Sequence, residues 1–211
     1  MDNYEVARDR AQAYFLNFDQ SALIHCWDLP FDDDYLYVDF INISYRICRS
    51  TGRIYRISDG RQAGFSEVLS IFDLLCHNKE KPLLSGRYAP VNSLRGCPPS
   101  AGVGTDFHSK TAQYFDSNFY SFCDACYALG GTSVQMADIA FRFPVFAGMD
   151  VILKFYRSDE EFPASMTLMW DDNTLDFIFY ETVFYIAGFL LSQICQEMKQ
   201  SEVAGGKDGY S

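Results

Sequence analysis

Basic residues are scarce: 17 Lys and Arg stand against 28 Asp and Glu, a formal net charge of −11. A surface with that average field repels phosphate backbones, so neither nucleic acid nor an anionic membrane is expected as a partner. Arg46, Arg49, Arg53 and Arg56 straddle an expected hairpin and form no basic run. Long apolar stretches are also missing. Val183 to Leu191 near the C-terminus is bounded by Thr182 and Ser192, well short of the ~20 residues that cross a bilayer. The opening MDNYEVARDRAQ has no apolar signal core. The seven cysteines (Cys26, Cys48, Cys76, Cys97, Cys123, Cys126 and Cys195) are odd in number and scattered, which suits reduced thiols better than a disulfide framework. These absences predict a soluble, cytoplasmic protein.

Catalytic frames are missing too. His25, His77 and His108 are the only histidines, and none stands in an H-E-x-x-H or comparable frame. The A-G-V-G-T segment at 101–105 lacks the third glycine and the preceding strand of a dinucleotide fingerprint. No residue pattern repeats along the chain.

What is present is core-forming material. Hydrophobic residues make up 48% and aromatics 17%, far from the composition that leaves a chain disordered. Tyr4 to Phe18 reads as a helix, with Tyr4, Ala7, Ala11, Tyr14, Phe15 and Phe18 on one face. Tyr35 to Ile41, Ser44 to Cys48 and Arg53 to Ile57 read as an antiparallel meander. A helix follows from about Ser66, its expected N-cap, and Lys79 to Ser109, dense in Pro and Gly, reads as a long loop. Lys110 to Leu129 is a third helical stretch that stops at Gly130-Gly131. Asp138 to Val145, Val151 to Tyr156 and Ser165 to Trp170 are three more strands. A last helix runs from about Glu181 to Gln200, with Val183, Ile186, Leu190, Ile194 and Met198 on one stripe. The fold class is therefore α+β: antiparallel meanders of about six strands packed with about four helices. One domain is expected over 1–200, with a flexible tail at 201–211.

If Val151–Tyr156 and Ser165–Trp170 pair as a hairpin, Asp159, Glu160 and Glu161 lie at one end and Asp150, Asp171 and Asp172 at the other. Six residues at ~3.3 Å each separate the groups by roughly 20 Å, too far for one shared acid/base or metal centre. The Asp159–Glu160–Glu161–Phe162–Pro163 loop, with Arg142, is the candidate ligand-binding surface. The structural alternative is a turn cap, with Glu161 paired to Arg142 or Arg157. Cys123 and Cys126 share one helix face as a C-x-x-C and, with Cys97 and His108, are the alternative metal set, although the spacing matches no compact finger. The aromatics between Phe141 and Tyr185 supply either core, an apolar ligand pocket or the centre of a homodimer or protein interface.

The quoted Asp159–Pro163 run, together with Leu129-Gly130-Gly131, Asp138 to Phe143, Trp170-Asp171-Asp172-Asn173, Glu67-Val68-Leu69, Tyr88 and Phe107, resembles the bacterial and archaeal family catalogued as domain of unknown function 3786. The similarity covers about residues 35–195 and implies no activity. Some members look like fusions to a four-cysteine iron-sulfur module, which implies a link to anaerobic redox or corrinoid metabolism. This chain has only Cys26 in its first thirty residues, so the resemblance implies a separate iron-sulfur protein as partner, and no cofactor of its own is identified. The expected function is non-catalytic: a small-ligand-binding or accessory protein whose surface is shaped by the 79–109 loop and the 159–163 hairpin loop. The alternatives are a metal-dependent enzyme using a carboxylate cluster or the Cys/His set, and a structural interaction module without a pocket.

Overall fold

In the computed structural model, residues 3–77, 81, 83–98 and 108–205 are described. The expected meander forms a three-stranded antiparallel sheet of β1 (Tyr35–Phe40), β2 (Ile43–Cys48) and β3 (Ile54–Arg56). Leu36, Val38 and Phe40 alternate inward along β1, the period-two burial of a half-covered strand. The β1–β2 turn consists of Ile41 and Asn42, both with positive φ (48° and 55°), as the right-handed twist of a two-residue hairpin demands. A β-branched residue in that region is strained. Ile41 is nevertheless 1% exposed, and its N–H donates to Val145 O at 3.0 Å, which joins this sheet to the second one.

The second sheet has five antiparallel strands in the order β4-β8-β7-β6-β5: β4 (Tyr88–Pro90), β5 (Thr132–Val134), β6 (Ile139–Phe146), β7 (Met149–Tyr156) and β8 (Ser165–Asp171). The β7–β8 pairing runs from Val151 opposite Trp170 to Tyr156 opposite Ser165, as the hairpin reading requires. One face presents Phe141, Phe143, Val151, Leu153 and Phe155 to the core. Phe122 of a covering helix meets Phe141 edge-on at 6.0 Å and Phe155 at 5.2 Å. On the other face Arg142, Asp150 and Lys154 are half-buried.

Six α-helices lie among the described residues: α1 (Asn3–Leu16), α2 (Gln20–Trp27), α3 (Phe65–Cys76), α4 (Ser109–Ser117), α5 (Phe119–Ala128) and α6 (Tyr180–Gly205). The expected stripe on α6 is buried, each of its five residues at 1% exposure or less. α6 packs against both α3 and α5, and α1 against α3, where Phe15 stacks on Phe72 at 4.9 Å.

The α+β class holds, with eight strands and six helices among the described residues rather than about six and four. Each difference has a local cause. Asp19 caps α2 by accepting from Ser21 N–H and Ala22 N–H, so a second helix forms where none was expected. α3 is capped at Gly64 rather than Ser66, and Glu67 accepts from the Gly64 N–H at 2.6 Å, half of a capping box. The expected 110–129 helix breaks at Asn118, whose side-chain amide donates to Tyr114 O at 2.9 Å and whose backbone leaves the helical region. β4 and β5 are three-residue edge strands without a readable alternation. Tyr4 and Tyr14 are more than half exposed rather than buried with Phe15. α6 continues to Gly205, past the expected end at Gln200, and residues 206–211 lie outside the described residues, as do 78–80, 82 and 99–107 of the expected long loop.

Two glycine substitutions test this packing in opposite directions. A Cβ on Gly131 would sit 2.7 Å from Cys126 O and 2.8 Å from the Phe143 ring, so Gly131→Ala should cost about 2 kcal/mol, as overpacking does. Gly188, inside α6, has open space around it, so Gly188→Ala should stabilise by about 0.5–1 kcal/mol through helix propensity. Denaturant titration of both variants reads the two signs.

Candidate functional site

The 159–163 loop is built as a turn. Asp159 Oδ1 accepts from Glu161 N–H at 2.9 Å and Phe162 N–H at 2.8 Å, and Phe162 is 66% exposed. Arg142 is not there. It lies opposite Ile152 on β7, four residues or ~13 Å from the Tyr156 end that carries the loop. Its guanidinium is 3.8 Å from Asp150 and 5.3 Å above the Tyr88 ring. Burial raises the Asp150 pKa, with Arg142 opposing the shift. Glu161 makes an ion pair with neither expected partner: Arg157 Nε meets Asp116 at 3.3 Å, and Asp116 also accepts from Ser158 Oγ at 2.5 Å. These bonds staple the base of the hairpin to α4. The six residues expected to bind a ligand therefore divide into an exposed turn and a mid-sheet guanidinium.

The carboxylates at the other hairpin end are also structural. Asp171, 1% exposed, accepts from Ser85 N–H and Gly86 N–H at 3.0 and 2.7 Å, and Asn173 Nδ2 donates to Leu83 O. Together they tie the 83–87 segment to the end of β8. The Cys/His set does not assemble: among the described residues no group of three or more His, Cys, Asp or Glu could hold a metal. Cys123 and Cys126 do share α5, and burial pushes both thiols up.

A different place gathers chemistry. Between α1, α3 and the start of α6 lies a cleft of about 340 Å³. Ala11 and Tyr14 line it from α1, Leu69, Phe72 and Asp73 from α3, and Thr182 and Tyr185 from α6, with His77, Phe179 and Glu181 at the rims of these helices. The Asp73 carboxylate, with a side chain 7% exposed, organises it. Oδ1 is 3.1 Å from His77 Nδ1, while Oδ2 accepts from Phe179 N–H at 2.8 Å and Thr182 Oγ1 at 2.5 Å. A carboxylate without a proton can only accept, so Nδ1 carries the hydrogen of this bond and Nε2 is turned away from Asp73. Phe179 meets the imidazole edge-on at 4.5 Å and is 61% exposed. The sequence reading passed over this pair, although D-x-x-x-H within a helical pattern puts both side chains on one face.

A second buried carboxylate, Glu67, is 4% exposed. It accepts from Tyr45 Oη at 2.7 Å, from both terminal nitrogens of Arg61 and from Gly64 N–H. Burial, and then the bond to Glu67, raises the Tyr45 pKa. This network ties β2 to the start of α3.

Two outcomes follow. Glu67→Ala strands three donors in or near the core and should cost about 3 kcal/mol, whereas Asp159→Ala loosens only an exposed turn and should cost about 1 kcal/mol or less; thermal unfolding compares them. Cys48 is the second test. Hydrogen bonds from Ser50 and Thr51 hold its thiol down at about 7, while burial pushes Cys76 up to about 12. Native labelling with an aromatic disulfide should therefore show a fastest phase that rises with pH around a midpoint near 7 and that disappears in Cys48→Ser.

The described residues contain no helix long and apolar enough to cross a membrane. No curated protein and no solved structure matches the chain. One family model does, over residues 19–193, so the match begins at the cap of α2, earlier than the expected start near 35, and ends within α6. The chain belongs to the family described as Domain of unknown function (DUF3786).

Proposed function

We propose that this protein binds a small, largely apolar ligand without transforming it, and that the site is the α1–α3–α6 cleft rather than the 159–163 loop. The observation that carries this reading is the cleft's composition: aromatic and aliphatic walls around a few polar groups held in place by other hydrogen bonds, the usual makeup of a ligand site. The loop residues line neither this cleft nor the polar one beside Glu67.

The non-catalytic part rests on what surrounds the Asp73–His77 pair. Such a pair orients an imidazole to activate a neighbouring nucleophile. Here the Thr182 hydroxyl is committed to Asp73, and the nearby Cys76 thiol is buried with its pKa raised. A held imidazole beside an apolar wall suits hydrogen-bonded recognition.

Ligand-observed NMR with indole, phenol and benzamide as probes tests the site. Binding should fall at least about tenfold in Ala11→Phe, which fills the cleft, and should be unchanged in a Glu160→Ala/Phe162→Ala double variant. The reverse pattern would return the site to the hairpin loop.

A further inference from the structure

We infer that the cleft selects an organic cation, an ammonium group carried on a small aromatic or apolar body; this rests on the reading of the cleft as a ligand site. The lining is one-sided in charge. Asp73 and Glu181 contribute carboxylates, and among the described residues no Lys or Arg lines the cleft. The carboxylate oxygens accept and do not donate, and the Thr182 hydroxyl is turned to Asp73.

The walls complete the match. Tyr14 and Phe179 are 56% and 61% exposed, so aromatic surface that the core does not use lies beside the acidic groups. Ring faces attract cations through their quadrupole, and a rim carboxylate adds to that attraction. An anion would meet no Lys or Arg among the described residues of the lining and would approach against the field of a chain carrying −11. A neutral apolar molecule would gain the walls but not the Coulomb attraction of the two carboxylates.

Isothermal titration of the full chain at pH 8 with benzylammonium, benzyl alcohol and benzoate tests this, the three sharing one ring and differing in charge. Benzylammonium should bind about tenfold tighter than benzyl alcohol, and benzoate weakest. Glu181→Gln should cut the ammonium advantage to about threefold or less, added salt should reduce it in the wild type, and Glu160→Gln, which removes the same charge from a residue that does not line the cleft, should retain it. Equal binding of ammonium and alcohol, abolished in Ala11→Phe, would overturn the cation preference and leave the cleft as a site. Ammonium binding that persists in Ala11→Phe, or no binding of any of the three, would overturn both.

Discussion

Ile41 is held in a left-handed turn, buried, with its N–H on Val145 of the other sheet, and much of the molecule's geometry is set by that junction. A β-branched residue tolerates positive φ only where its surroundings over-determine it. Here the surroundings are both sheets: the next residue, Asn42, packs against Gly130, and Gly131 sits against Phe143 of β6. Trp27 meets Phe146 edge-on at 5.1 Å beside the same seam. The three-stranded sheet is thus tied to the end of the five-stranded one rather than stacked on it.

That tie decides where the helices meet. α3 leaves the small sheet, with its first turn anchored by Glu67 to Tyr45 and Arg61. α6 leaves the large sheet after β8. With the sheets joined, the C-terminal turn of α3 comes against the first turn of α6, and Asp73 satisfies the Phe179 N–H and Thr182 hydroxyl there. One carboxylate thereby caps the last helix, orients His77 and helps line the cleft. Stability and the proposed recognition share the group, because a helix start supplies unpaired donors that a buried carboxylate can answer.

Much of the fold was legible in the residues. The meander and the β6–β7–β8 strands announce themselves through alternation and turn residues, and the α6 stripe through its spacing. The gaps are where signals are short or shared. Asn118 reads as an ordinary helical position until its side chain turns back to Tyr114 O. The β4 and β5 edge strands are three residues each, too short for alternation to register. The acidic Asp159–Glu161 run drew attention because it is dense in charge, yet charge density is also what an exposed turn carries. Asp73 and His77 were quieter, one acid and one imidazole within a helix among many polar residues.

Sequence alone determined the class of fold, the hairpin that keeps the two carboxylate groups apart, the stripe that buries α6 and the resemblance to the family, because these depend on local period and turn chemistry. Only the tertiary structure decided which carboxylates matter. It set Arg142 against Asp150, turned Asp171 onto the 85–86 backbone, and brought Asp73, His77 and Thr182 together across helices more than a hundred residues apart. The physical reason is that periodicity specifies which face of an element is buried, whereas the partner across that face is chosen by how the two sheets are joined.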